Sequence, residues 1–169
     1  MSTASVGALR INDLRWRPLL EAELQVEERE SLVKSILLVE DSRFLRAANE
    51  RALVRAGYNV VTASDGEEAL RVAYARIPDL ILLDMLLPKV GGPEVLHALR
   101  NSPLTAAIPV IVLSSLSQKN EDKLKSEGAT AYFEKSKLKL DSHSDSLIQI
   151  VKRIFAGLTK GNGKPIPET

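Results

Sequence analysis

The sequence of 169 residues contains no cysteine. This absence excludes disulfide bonds, catalytic thiolates and zinc sites built on cysteine. An excess of charge of either sign is missing as well, because 22 aspartates and glutamates stand against 23 lysines and arginines. This balance gives no electrostatic reason to expect direct nucleic acid binding or attraction to an anionic membrane.

Long hydrophobic runs are also absent. No apolar run approaches the roughly 18 residues that a membrane-spanning helix needs, so no membrane span is expected. The N-terminal residues lack the hydrophobic segment of a secretory signal. Hydrophobic residues make up 44% of the chain and charged residues 27%, as in an ordinary globular protein. Together these features predict a cytoplasmic protein with a single domain-sized core.

Short apolar runs alternate with segments of helical periodicity from residue 36 onward. The runs predict strands at 36–39, 58–63, 79–83, 108–113 and 131–133, and the segments between and after them predict helices at 42–56, 67–76, 93–100, 120–127 and 147–155. Such alternation predicts an α/β fold, a doubly wound sheet of five parallel strands with helices on both faces. Asp65, Glu67 and Glu68 predict a solvated start of the second helix, favoured by its dipole.

The two ends of the chain do not follow this alternation. Residues 1–34 form an N-terminal extension that is compatible with one helix over about 14–33 and contains Trp16, the single tryptophan. Residues 35–156 form the predicted domain. Residues 157–169 contain three glycines and two prolines, which predicts a flexible C-terminal tail.

Three acidic residues stand where two of the predicted strands end. Glu40 and Asp41 come directly after the first strand, and Asp84 comes directly after the third. In a doubly wound sheet these strands are neighbours about 4.8 Å apart, and ligands bind beyond their carboxyl ends. A single acid after a strand is usually a solvated loop residue. Three acids on adjacent strand ends repel one another, and a hard divalent cation with oxygen ligands relieves that repulsion.

A hydroxyl and an ammonium group are predicted at the same edge. Ser114 ends the fourth predicted strand and Lys135 ends the fifth. Taken alone, each is an ordinary strand-end hydroxyl or surface charge. Both groups can bind oxygens of an incoming phosphoryl group and neutralise charge that a metal does not reach. With the acids, they provide what an aspartyl phosphate requires, namely a nucleophilic carboxylate, a metal, a hydroxyl and a cation.

The segment from about Ser35 to Phe155 resembles the receiver domain of two-component response regulators. Four motifs carry the resemblance: ILLVED at 36–41, LILLDMLLPKVGG at 80–92, PVIVLSS at 109–115 and GATAYFEK at 128–135. The resemblance implies a flavodoxin-like sheet with strand order 2-1-3-4-5. It also implies a phosphoacceptor switch that assists its own magnesium-dependent phosphorylation and dephosphorylation, rather than an enzyme that acts on a separate substrate.

The resemblance assigns the acids to a phosphoacceptor and a metal site. Asp84 matches the aspartate that accepts the phosphoryl group. Glu40 and Asp41 match the acidic pair that holds Mg²⁺, for which Mn²⁺ can substitute. Asp84 itself and the backbone carbonyl of Leu86 would complete the protein ligands of the ion.

The resemblance also assigns the groups that contact the phosphate. Ser114 matches the switch hydroxyl, Lys135 the phosphate-contacting lysine, and Tyr132 the aromatic residue whose rotation reports activation. Ser136 departs from the family, which usually has proline there, often after a cis bond. A cis bond before serine costs about 2.5–4 kcal/mol, so a trans bond is expected.

Two leucines predict a long-lived phosphoryl group. Leu86 lies two residues after Asp84, and Leu116 lies two residues after Ser114. In the family, residues at these positions line the path of the hydrolytic water. Leucine cannot orient water by hydrogen bonding and obstructs its approach.

The resemblance further implies a histidine kinase or a histidine phosphotransfer protein as phosphodonor, and a downstream protein as target. A homodimer is compatible with the sequence.

Two alternatives stay open, a phosphorylation-independent adaptor and a receiver fragment of a larger hybrid protein. A phosphatase of the haloacid-dehalogenase type is disfavoured, because Leu86 stands where its second aspartate would be. A nucleotide or flavin binder is disfavoured because the acidic segment 40–43 replaces a glycine-rich phosphate loop.

Overall fold

The computed structural model describes residues 33–115, 121–135 and 143–159, without the side chains of 121–123, 143–145 and 159. The chain divides into two units, residues 1–33 and residues 34–169. Several predictions therefore lie outside the described residues. These are the N-terminal helix, the roles of Trp16 and Leu116, the bond before Ser136, and the tail beyond residue 159.

The described residues contain a five-stranded parallel sheet. Its strands are β1 (Ser35–Val39), β2 (Asn59–Ala63), β3 (Leu80–Asp84), β4 (Val110–Ser114) and β5 (Ala131–Glu134). Their order across the sheet is β2-β1-β3-β4-β5, and every neighbouring pair is parallel. The predicted fold class and strand order are confirmed.

Five helices connect or follow these strands. They are α1 (Arg43–Arg55), α2 (Gly66–Arg76), α3 (Gly92–Asn101), α4 (Glu121–Ser126) and α5 (His143–Thr159). The last helix was predicted at 147–155, but it extends further at both ends. Residues 157–159 were expected to begin the flexible tail and are helical instead. The first residues of α5 are polar, so apolar periodicity begins only at Leu147. Gly157 disfavours a helix by about 1 kcal/mol relative to alanine, which does not prevent the helix from continuing.

The sheet is covered on both faces by apolar layers. Successive side chains of a strand point to opposite faces, and β3 and β4 are buried along their whole length. One layer packs β1, β3 and β4 against α2 and α3, and includes Leu37, Ile81, Val112, Val72 and Leu96. The other packs the alternate strand residues against α1 and α5, and includes Ile36, Leu82, Ile111, Leu53 and Val151. None of the helices in the described part of the chain has the length and apolar character of a membrane span.

Hydrogen bonds of Asp79 link the amino ends of β1 and β3. The strand prediction included Asp79, but β3 begins at Leu80. The Asp79 carboxylate accepts hydrogen bonds from Lys34 Nζ, from the Ser35 backbone N–H and from Ser35 Oγ, each at 2.8 Å. Partial burial alone would raise the pKa of Asp79, but the hydrogen bonds from Lys34 and Ser35 outweigh it and lower the pKa below its ordinary value.

We expect Asp79→Asn to destabilise the protein in a pH-dependent way. Because the folded-state pKa of Asp79 is lowered, the ionised carboxylate contributes stability above the unfolded value of about 3.9. This contribution is lost as the pH falls through the folded-state pKa. The substitution should lower the free energy of unfolding by about 1 kcal/mol at pH 7, and by progressively less below pH 4. Urea unfolding between pH 7 and pH 3 measures this, and a difference that stays constant would contradict it.

Candidate functional site

The parallel register brings the predicted site residues to one edge of the sheet. β1 and β3 are paired with Val39 opposite Leu83, so the next residues, Glu40 and Asp84, lie side by side. β4 and β5 are paired so that Lys135 comes one residue beyond the level of Ser114. Each of these side chains therefore stands at the carboxyl edge, where open α/β sheets bind their ligands.

The three acidic residues form one cluster. Carboxylate oxygens of Glu40, Asp41 and Asp84 lie within 4.8 Å of one another. Glu40 is 1% exposed and Asp84 is 3% exposed, whereas Asp41 is open to solvent. An all-oxygen donor set with two buried carboxylates and one exposed carboxylate suits a hard divalent cation such as Mg²⁺ or Mn²⁺. The clustering predicted from the strand ends is present.

Lys135 offsets part of the negative charge in the buried part of this cluster. Its ammonium nitrogen lies 2.6 Å from Glu40 Oε2 and 2.7 Å from Asp84 Oδ2. Burial alone would lower the pKa of Lys135, but the hydrogen bonds to Asp84 and Glu40 outweigh it, and the pKa is raised. The pKa of Glu40 is also raised, because the desolvation of its buried carboxylate exceeds the effect of Lys135. Lys135 thus stays protonated between two carboxylates that have little contact with water.

The carboxylate of Asp84 is held from two directions. Its Oδ2 accepts the hydrogen bond from Lys135 at the end of β5, and its Oδ1 accepts one from the Leu86 backbone N–H at 3.1 Å. The first contact depends on the packing of β3, β4 and β5. The second depends on the loop that leads from β3 to α3. The orientation of this carboxylate is therefore set by two separate parts of the chain.

The remaining predicted residues lie close to this cluster along the sheet. Ser114 is the last residue of β4 and is 1% exposed. Tyr132 is half-buried in β5, is paired with Val112 of β4, and packs against the apolar layer that α2 and α3 cover. Leu86 is 58% exposed beside Asp84. The structure thus places these residues at or near the expected edge, while Leu116 lies outside the described residues.

Sequence reasoning missed a contact between α2 and the loop after Asp84. Asp65, predicted to be solvated, is only 7% exposed. It caps α2 by accepting a hydrogen bond from the Glu68 N–H at 2.9 Å, and it accepts another from Lys89 Nζ at 2.6 Å. The prediction of a solvated Asp65 was wrong because the loop covers it. The available signal was Lys89, the single charge in the otherwise apolar or uncharged segment 85–91.

A family comparison matches most of the described chain. The model of the response regulator receiver domain matches residues 36–144. A curated relative, the alkaline phosphatase synthesis transcriptional regulatory protein PhoP of Bacillus subtilis, is 42% identical over 103 residues, which are 60% of this chain. The chain spans 42% of the length of that relative.

Solved structures show the same fold. The chemotaxis response regulator CheY4 of Vibrio cholerae has a TM-score of 0.64 and 29% identity, covering 72% of this chain and 98% of that one. The receiver domain of the sensor histidine kinase PA1611 from Pseudomonas aeruginosa has a TM-score of 0.63 and 28% identity, covering 72% and 96%. The latter structure contains a magnesium ion coordinated in the active site cleft.

We expect Lys135→Met to destabilise the metal-free protein by about 3 kcal/mol, because it leaves two buried carboxylates without their cation. The variant also removes the group that lowers the pKa of Glu40, so this pKa rises further. The penalty for burying ionised Glu40 is relieved as the pH falls and the group takes up a proton. The loss of stability should therefore be larger at pH 8 than at pH 5.

Urea unfolding in the presence of a chelator measures this loss. Lys34→Met is the matched control, because it removes the same side chain from the more exposed pair with Asp79. Exposed pairs contribute about 0–1 kcal/mol. Equal losses for the two variants would contradict the role assigned to Lys135.

Proposed function

Because the chain belongs to the response regulator receiver domain family of two-component signalling, we propose that it is a cytoplasmic switch in which Asp84 accepts a phosphoryl group. The observation that carries this proposal is the environment of the Asp84 carboxylate. It is buried, bonded to Lys135, and clustered with Glu40 and Asp41. No ordinary strand-end acid needs this combination of a cation and two further carboxylates.

The acidic cluster fits a magnesium ion. Glu40, Asp41 and Asp84 would hold it through carboxylate oxygens, and the backbone carbonyl of Leu86 would add a ligand. When bound, the ion supplies positive charge that stabilises the oxygens of the transferring group. The magnesium in the cleft of the PA1611 receiver supports this assignment.

In the proposed transfer, a carboxylate oxygen of Asp84 attacks the phosphorus atom. The new O–P bond forms while the bond from phosphorus to the donor breaks, and the donor keeps the electron pair. Lys135 and Ser114 would contact the phosphoryl oxygens, the first through its charge and the second through its hydroxyl. The Leu86 N–H holds the second Asp84 oxygen and so fixes the direction of attack.

The phosphodonor would be a histidine kinase, a histidine phosphotransfer protein or a small phosphorylated molecule. The phosphoryl group adds a charge of about −1.5 to −2. This charge would draw Ser114 inward and let Tyr132 turn, shifting a pre-existing equilibrium at the surface formed by α4, β5 and α5. A downstream protein, or a second copy of the chain, would recognise that surface.

We expect the native chain, incubated with acetyl phosphate and Mg²⁺, to gain one phosphoryl group in its intact mass. The adduct should be absent without the metal and absent in Asp84→Asn. Asp79→Asn is the matched control, because this acid lies at the opposite edge of the sheet and should not affect labelling. A native chain that binds Mg²⁺ and acquires no adduct would favour the phosphorylation-independent adaptor.

We also expect a slow loss of the phosphoryl group, which Leu86→Asn should accelerate. Asparagine can orient the attacking water through a hydrogen bond worth about 1 kcal/mol, which corresponds to a rate increase of about fivefold. Leu104→Asn is the control, since Leu104 is a similarly exposed leucine in the segment that precedes β4. The time course of the intact mass after removal of the donor measures the rate. Rapid loss from the native chain, without any phosphatase, would contradict the prediction.

A further inference from the structure

The loop between β3 and α3, residues 85–91, is joined to the start of α2 by consecutive contacts. Lys89 Nζ donates a hydrogen bond to Asp65 Oδ2 at 2.6 Å. The backbone N–H of Gly66, the next residue, donates to the carbonyl of Pro88 at 3.4 Å. Two adjacent residues of one segment therefore hold two adjacent residues of the other.

The backbones of these two segments are in direct contact. A Cβ atom added at Gly66 would lie 1.9 Å from the carbonyl oxygen of Val90. No side chain fits in that space without moving the loop. The glycine at this position is therefore what permits α2 to begin against the loop.

Lys89 adopts a backbone conformation that is unusual for its residue type. Its φ is +65°, in the left-handed region that favours glycine. Residues held in this way persist where surrounding contacts fix them, and they concentrate at functional sites. Here the fixing contact is with Asp65, whose other oxygen is bound to the Glu68 N–H. The hydrogen bond from Lys89 lowers the pKa of Asp65, so the pair is charged at neutral pH.

The same loop holds the carboxylate of Asp84. The Leu86 N–H donates to Asp84 Oδ1 at 3.1 Å, and the Gly92 N–H closes the far end of the loop on the carbonyl of Met85 at 3.2 Å. Leu87 and Val90 pack their side chains on the core. Lys89 is the only charged residue of the loop, so its contact with Asp65 adds a directional restraint to this apolar packing.

We propose that Lys89 and Asp65 are positioning residues of the phosphoryl-transfer site, which hold the loop so that Leu86 orients Asp84 and completes the metal site. They touch neither the phosphoryl group nor the metal, and act through the backbone of residues 86–89. This inference rests on the proposed function, because it takes the site around Asp84 to be a phosphoryl-transfer site. It adds two residues and a contact between α2 and the loop to the machinery of that site.

The contact between Lys89 and Asp65 is called the clamp from here on. Four variants test it. Lys89→Met removes the cation, and Lys89→Arg keeps it. Asp65→Ser removes the anion but retains a side chain that can cap α2. The double variant Lys89→Met/Asp65→Ser removes both partners. Arg71→Met is the matched control, because it breaks an exposed contact with Glu68 on the same helix, away from the loop.

Two properties are measured on the full chain, besides its melting temperature. The first is the affinity for Mn²⁺, from the electron paramagnetic resonance signal of the free ion. The second is the rate of phosphorylation by acetyl phosphate, from the intact mass. We expect Lys89→Met and Asp65→Ser to weaken Mn²⁺ binding several-fold and to slow phosphorylation about tenfold, because small misplacements of reacting groups are costly.

The pattern across the variants separates positioning from general stability. Lys89→Arg and Arg71→Met should resemble the native chain in both properties. Lys89→Met also breaks the longer contact of Lys89 with Glu67 at 3.8 Å. The double variant should be no worse than Lys89→Met alone, because the contact that Asp65→Ser removes is already broken there. Losses that add up in the double variant would overturn the proposal. Normal Mn²⁺ affinity together with normal phosphorylation in Lys89→Met would also overturn it. The same holds if Mn²⁺ affinity and phosphorylation rate fall across the variants only in proportion to the melting temperature.

Failure of the clamp and failure of the proposed function give different results. A native chain that is labelled on Asp84, with Lys89→Met matching the control, would overturn the clamp alone. A native chain that binds Mn²⁺ but is never labelled would overturn the phosphoacceptor function, and Mn²⁺ affinity would still test the clamp. A native chain that does not bind Mn²⁺ would overturn the metal site and the clamp together.

Discussion

The pairing of Lys135 with two buried carboxylates is the interaction on which the site depends. Glu40 and Asp84 are almost completely removed from water, and transfer of an isolated carboxylate into such surroundings costs several kcal/mol. The ammonium group bridges both at hydrogen-bonding distance. One ammonium group offsets only part of the charge of two carboxylates, so a bound metal ion would enter an environment that keeps net negative charge. Burial raises the desolvation free energy of these carboxylates, and the same burial makes the cluster respond strongly to added charge.

The sheet and the loop after β3 share the task of orienting Asp84. Lys135 reaches one carboxylate oxygen from the edge of the sheet, and the Leu86 N–H reaches the other from the loop. The sheet is packed between apolar layers on both of its faces. The loop has Leu87 and Val90 on the core, while Lys89 joins it to the start of α2. The orientation of one carboxylate thus depends on packing within the sheet and on a contact outside it.

The fold was predictable wherever local pattern and burial agree. Continuous apolar runs marked β1, β3 and β4 because these strands are covered on both faces. The ends of α5 were misplaced, because its first residues are polar and its last turn contains Gly157. The burial of Asp65 was also missed. Its neighbours in the sequence indicate an exposed helix start, and the loop that covers it is some 24 residues away in the chain.

The sequence by itself determined the fold class, the family resemblance, and the positions of Glu40, Asp41, Asp84, Ser114 and Lys135 at strand ends. It could do so because strand ends are marked by a local change from apolar to polar residues. Only the tertiary structure decided that Lys135 bridges Glu40 and Asp84, that Leu86 holds Asp84, and that Lys89 reaches Asp65. Those contacts join residues whose distances depend on how strands and loops pack, and no local pattern encodes that packing.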